Sequence, residues 1–182
     1  MSTALVLVDI QKDYFPGGRM EVVGAIGACR MARTLLTHFR EKGLPVIHVR
    51  HISTRPDAAF FLPGTEGVLI HEDVAPLATE VVIEKHFPNS FRDTDLREHL
   101  VAGDIEALVI CGMMSHMCID ATVRAAFDMG YRCIVVHDAC ATVNLDFHGA
   151  HIPAAQVHGA FMAALGAVYA TVASAKECLA MP

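Results

Sequence analysis

The chain has 182 residues, 53% of them hydrophobic and 19% charged, with a formal charge of −6. That length predicts one domain over residues 1–182, burying about 70% of the surface its unfolded form would expose. No apolar run approaches the ~20 residues that span a bilayer, and no basic cluster could displace phosphate counterions, so a membrane span is excluded and a nucleic-acid partner is not expected.

The opening residues carry no basic region, and their apolar stretch ends at Asp9 after five residues, so neither a leader nor an anchor is expected and the cytoplasm is the expected compartment. Six cysteines, at 29, 111, 118, 133, 140 and 178, form no CxxC pair. They predict reduced thiols rather than a disulfide framework or a zinc ribbon.

In chain order, apolar runs with strand character occur at Ala4–Val8, Pro45–Val49, Glu80–Glu84, Ala107–Gly112, Cys133–Val136 and Val168–Val172. Helix-period stretches lie between most of them. In the first, Ala28, Met31, Ala32, Leu35, Leu36 and Phe39 share one face and Gly43 is placed to stop it. Others run over Thr94–Val101, Cys118–Met129 and Pro153–Leu165, with a short terminal helix from near Ser174. This alternation predicts an α/β fold with a parallel sheet covered on both faces. The segment Arg50–Pro76 lacks clear regular structure, and a loop of that length is expected to face substrate.

Ligands of an open parallel sheet bind beyond the carboxyl ends of its strands. Asp9 follows the first strand, Lys85 follows the third, and Cys118 lies six residues beyond Gly112 at the end of the fourth. A carboxylate, an ammonium and a thiol at one edge would make a base, a cation and a nucleophile. At the start of its helix run Cys118 would meet the positive end of the dipole and unpaired N–H groups, which favours thiolate. The other five cysteines read as small buried hydrophobes.

Three segments carry a family resemblance: Asp9-Ile-Gln11-Lys-Asp13-Tyr-Phe15 with Gly17-Gly18, Lys85-His-Phe-Pro-Asn-Ser90-Phe91, and Gly112 through Cys118 to Ala126. In this order and spacing the chain resembles the isochorismatase-like cysteine hydrolases. The resemblance implies a three-layer α/β/α fold with a six-stranded parallel sheet of order 3-2-1-4-5-6. It implies an Asp9–Lys85–Cys118 triad and a cis bond between Met113 and Met114. It also implies an oxyanion hole made by the backbone N–H groups of Met114 and Cys118. Gln11, Phe15 and Phe91 look like positions supporting or packing against substrate, and His116 is a further candidate for binding substrate or tuning the thiol.

Isochorismatases proper lack the cysteine, so Cys118 points to a small-molecule amide, ureide or lactam. Nicotinamidases of the same family carry a metal-binding Asp-x-His after the second strand. Here His48, His51 and His71 occur with no carboxylate between Val49 and Pro56, and three protein ligands are usual for an open metal site. No metal and no cofactor is therefore expected. A nicotinamidase-like metal amidase and a non-catalytic binding protein on the same scaffold are the alternatives. His137 and Asp138 are expected to be structural. His148, His151 and His158 are read as surface or interface residues, and the Ala-rich run Ala154–Ala173 as part of a homodimer or homotetramer contact.

Overall fold

Strand β1 (Thr3–Val8) is buried from Ala4 onward, with no polar side chain on either face, as a central parallel strand requires. The computed structural model describes residues 2–181. After β1 come helix α1 (Ala25–Glu41), β2 (Val46–His51), β3 (Val81–Lys85), α2 (Leu96–Ala102), β4 (Ala107–Met113) and a single π-turn over Ser115–Ile119. Then follow α3 (Asp120–Asp128), β5 (Arg132–Ala141), a hairpin of β6 (Leu145–Phe147) and β7 (Ala150–Ile152), α4 (Ala154–Val168), β8 (Thr171–Ala173) and α5 (Ala175–Leu179).

Six strands form one parallel sheet in the order β3-β2-β1-β4-β5-β8. This is the expected 3-2-1-4-5-6 order, since β8 is the sixth strand of that sheet once the separate β6–β7 hairpin is set aside. The chain moves outward from β1 to β2 in one direction and from β4 to β5 in the other. Right-handed crossovers therefore put α1 and α3 on opposite faces, α1 packing with α5 and α3 with α4. Leu5, Leu7, Leu35, Leu36, Ile83, Leu108 and Ile110 fill the layers and are fully buried, each contributing about 1.5–3 kcal/mol of transfer free energy against the entropy of ordering the chain.

The order reverses between β1 and β4, so a crevice opens where these two strands end. Gly112, opposite Val8 in the ladder, has φ +129°, and a Cβ there would overlap the Val8 carbonyl. Only glycine lets β4 approach β1 this closely at the edge of the crevice.

Several boundaries differ from the expected ones. Strand β5 runs on to Ala141, beyond Val136, because a register shift between Ile110 and Gly112 lets the pairing with β4 resume at Cys140 and Ala141. The apolar residues up to Val168 belong to α4 and only Thr171–Ala173 pairs as β8; an apolar run alone does not separate a helix end from a strand. The β6–β7 hairpin sits mostly in solvent; its apolar alternation, Leu145-Asp-Phe147 and Ala150-His-Ile152, covers only three residues on each strand and is too short to announce one. Within Arg50–Pro76, β2 extends to His51 and two short 3-10 turns occur at Glu66–Val68 and Glu72–Val74.

Candidate active site

Asp9, Lys85 and Cys118 meet at the crevice. Lys85 Nζ lies 2.7 Å from Asp9 Oδ2 and 3.2 Å from Cys118 Sγ. Asp9 and Lys85 are wholly removed from solvent, and Cys118 is 5% exposed. Each is put there by the end of a strand. Asp9 leaves β1 with φ +52°, a left-handed turn that Asp tolerates better than most residues, while its N–H still bonds Val49 O at 2.9 Å. Lys85 is the last residue of β3. Cys118 follows β4 through a cis peptide between Met113 and Met114 and sits in the π-turn, where the Met114 carbonyl accepts from the N–H groups of Met117 and Ile119.

Above these groups is a cavity of about 260 Å³. Cys118 and Met114 form its floor with Tyr14, and Phe60, Phe61, Phe87 and Met117 form apolar walls. The long loop supplies Ser53, Thr54, Arg55 and Ala58–Phe61, so the first part of the segment Arg50–Pro76 faces this cavity and the part beyond Phe61 does not line it. Asp13 anchors it: Oδ2 accepts from Phe61 N–H at 2.6 Å and Oδ1 from Arg19 N–H at 3.2 Å.

The electrostatics follow from burial and proximity. Burial opposes the Lys85 ammonium, but the Asp9 carboxylate and Cys118 outweigh it and hold the pKa above the ordinary lysine value. Burial pushes the Cys118 thiol well up, the Asp9 carboxylate adds to this, and Lys85 opposes both without prevailing. Desolvation beside a carboxylate therefore favours the thiol over the thiolate. The thiolate was expected from a helix start, but the π-turn, not the first turn of α3, carries Cys118. Burial, then Lys85, lowers the His51 imidazole to about 4, so this ring is neutral near pH 7.

The remaining candidates divide. Gln11 is buried and does not touch the cavity; its side chain donates to His51 O and Val68 O and accepts from His51 N–H at 2.7–2.9 Å, pinning the end of β2 and the loop. Phe15 and Phe91, expected against substrate, lie in the core, Phe15 against His71 and Phe91 stacked with Tyr131. His116 also falls outside the cavity, with Nδ1 2.5 Å from Thr142 Oγ1 and its ring against Phe161. Its neighbour Met117 takes the place expected of it. His48 is buried against Glu80 Oε2 at 3.0 Å, and Asp138 accepts from Ala175 N–H at 2.8 Å at the start of α5. His158 accepts from or donates to Ser115 Oγ at 2.8 Å, and His151 pairs with Asp146 in the exposed hairpin.

His51, weighed from sequence as a metal ligand, lines the cavity with Nδ1 3.2 Å from Lys85 Nζ. Tyr14, Phe60, Phe61 and Phe87 were not singled out either. Tyr14 and Phe87 stand inside the segments that carry the resemblance, but nothing in an apolar letter says whether it faces a core or a cavity.

Two groups of side chains bring three potential metal donors within 4.8 Å of one another, Asp9–His51–Cys118 and Cys29–His71–Asp73. Neither fits a metal centre. In the first, the Lys85 ammonium already lies 2.7–3.2 Å from all three residues, and a divalent cation there would face its charge at contact. In the second, His71 Nδ1 accepts from Asp73 N–H and the Asp73 carboxylate pairs with Arg33. His48, His51 and His71 do not converge.

The model of the isochorismatase domain matches residues 3–173. The chain belongs to the isochorismatase family. The isochorismatase family protein YddQ of Bacillus subtilis is 55% identical over 179 residues, covering 98% of this chain and 99% of that one. The crystal structure of an Oleispira antarctica protein superposes with TM-score 0.96 at 54% identity, over 99% of this isochorismatase-family chain and 97% of the other. N-carbamoylsarcosine amidase of Thermoplasma acidophilum superposes with TM-score 0.83 at 29% identity, over 96% and 97% of the two chains. Named relatives in the isochorismatase family are hydrolases, and streptothricin hydrolase and maleamate amidohydrolase are among them.

Proposed function

We propose that the protein is a metal-free cysteine hydrolase that cleaves a C–N bond of a small amide, ureide or lactam through a thioester. The observation that carries this reading is the contact of the buried Lys85 ammonium with both Asp9 and Cys118, the latter lining a largely aromatic cavity. The names of relatives that act on amides support the same bond class.

In this reaction the thiol stays protonated until a carbonyl carbon approaches. Asp9 then takes the Sγ proton as the S–C bond forms, and Lys85 balances the charge moving between sulfur and carboxylate. The N–H groups of Met114 and Cys118 would hold the tetrahedral oxyanion, one such donor being typically worth about 3 kcal/mol of barrier. Asp9 returns the proton to the departing nitrogen as the C–N bond breaks. Water attacks the thioester with Asp9 as its base, the acid product leaves, and the thiol is restored. A cavity of 260 Å³ is at the small end of ligand sites, which run about 300–1,000 Å³, in keeping with a small substrate.

This reading takes residues 1–182 as one catalytic domain in a reducing cytoplasm, supported by six unpaired, buried cysteines. It also takes the protein as a homodimer or homotetramer, supported by Phe147 and Val168, both more than 60% exposed; sedimentation giving a 19.7 kDa monomer would remove that part. The central test is ammonia release across an amide panel. Cys118→Ala should lose all turnover and keep its circular dichroism. Full activity in that variant would remove sulfur from the chemistry, and a panel without turnover, with iodoacetamide labelling Cys118 no faster than the other five cysteines, would favour a ligand-binding role.

A further inference from the structure

Lys85 Nζ has four acceptors around it: Asp9 Oδ2 at 2.7 Å, Phe87 O at 3.1 Å, Cys118 Sγ at 3.2 Å and His51 Nδ1 at 3.2 Å. An ammonium has three hydrogens and no lone pair, so whatever faces it must accept. Nδ1 of His51 therefore presents its lone pair to Lys85, and in a neutral imidazole the proton must then sit on Nε2. Turning the ring over would put the Cδ2–H edge in place of the Nδ1 lone pair and lose the contact with the ammonium. It is also held from behind, because Gln11 bonds both the N–H and the carbonyl of His51 and Phe61 packs 5.9 Å from the imidazole centroid. Nε2 has no hydrogen-bond partner among the described residues and is not one of the buried polar atoms sealed from solvent. The ring forms part of the cavity wall that also holds Cys118.

We infer that His51 is a specificity-determining residue whose Nε2–H donates a hydrogen bond to an acceptor carried by the substrate beside its scissile carbonyl. This rests on the amide reading above and narrows it. The substrate class becomes an amide with a second acceptor, a ring nitrogen or an additional carbonyl, set among aromatic walls that also carry Arg55 and His86. A neutral ring, which the low imidazole pKa supports, does not repel the Lys85 charge and binds an uncharged acceptor. A site that presents a donor at this point rejects substrates lacking an acceptor, because the donor would lose water and find nothing in exchange.

Two measurements test this. Long-range 1H–15N spectra, with the His51 signal assigned by its loss in His51→Asn, should show a neutral Nε2–H tautomer at pH 7. An Nδ1–H tautomer or an imidazolium would overturn the inference. Benzamide and the three pyridine carboxamide isomers, which carry the ring nitrogen to successive positions, are then titrated into Cys118→Ala protein, where no turnover interferes. At least one isomer should bind about tenfold more tightly than benzamide. The preference should vanish in Cys118→Ala/His51→Phe and return in part in Cys118→Ala/His51→Asn, whose amide keeps a donor. Equal binding of all four compounds, or a preference that survives His51→Phe, would overturn it. If none of them binds, the tautomer decides whether His51 offers a donor to the cavity, and the ammonia-release panel decides the amide reading separately.

Discussion

Lys85 Nζ stands 2.7 Å from Asp9 Oδ2, and neither side chain reaches solvent. A buried pair of this kind adds little net stability compared with apolar residues of similar size, yet breaking it by removing one partner strands a charge and costs about 3–5 kcal/mol. Lys85→Met and Asp9→Leu should each lower the urea midpoint by that scale. The double variant Asp9→Leu/Lys85→Met should be less destabilised than the sum of the two, while all three lack amidase activity. Additive losses in the double-mutant cycle would mean that the two groups do not stabilise each other.

Acid should weaken the fold in two stages. Burial, then Lys85 with His86 and Arg55, lowers the His51 imidazole, with Asp9 acting against them, and burial, opposed by Glu80, lowers His48. A folded pKa below the unfolded value means that the unfolded chain binds more protons, so this stability is fully present above pH 6.5 and is lost as pH falls toward about 4. Glu80 follows: burial opposes its charge, but Arg40, Leu77 N–H and His48 outweigh it and hold the carboxyl at about 2. Its contribution is present above pH 4.5 and fades as pH approaches 2. Urea midpoints measured from pH 8 to pH 3 should fall first between 6.5 and 4, and His51→Asn should flatten that first slope.

The opposite sign applies to the thiols. Burial raises the pKa of Cys118, Cys111, Cys133 and Cys140 above the ordinary value of 9.0. The folded state keeps these protons longer than the unfolded one, so stability falls as pH rises past about 9. Thermal midpoints should drop between pH 9 and 11, and by less in Cys140→Ala than in the parent once each is referred to its own value at pH 8.

Gly112→Ala puts a Cβ into the Val8 carbonyl at a φ of +129°. Because the collision is with backbone at the β1–β4 contact, no side chain can move aside, and the expected loss is about 3 kcal/mol or more. Soluble yield and urea midpoint report it; a midpoint within 0.5 M of the parent would show that the two strands can separate at little cost.

Asp13→Ala should act on the cavity rather than on the sheet. It removes the acceptor of Phe61 N–H, a charge-assisted bond typically worth about 1.5–3 kcal/mol, and frees the loop that carries Phe60 and Phe61. KM should rise several-fold with a smaller change in kcat. An unchanged KM would dissociate the loop from substrate binding.

How much of this was legible in sequence depends on what each residue touches. The runs at β1, β3 and β4 read correctly to within a residue or so because a strand buried on both faces must be apolar throughout. Helix α1 was legible because one face repeats at 3.6 residues. The exposed hairpin had no such constraint, and β8 was hidden in an apolar run that α4 shares. At the site, Asp9, Lys85 and Cys118 could be named because charged or nucleophilic residues at strand ends stand out against apolar neighbours. Phe15 and Phe91 rested on the resemblance and His116 on its place beside Cys118, and all three landed elsewhere.

By itself the sequence determined the alternation of strands and helices, the family, and the three polar groups at one edge of the sheet, since these depend on residue type and order along the chain. Only the tertiary structure decided that burial beside Asp9 favours the Cys118 thiol, that His51 rather than His116 lines the cavity, and that Asp13 and Gln11 hold the loop. Protonation and orientation depend on distances between residues that lie far apart in sequence, such as Asp9 and Cys118, and on water excluded from among them, and those quantities exist only once the strands are side by side.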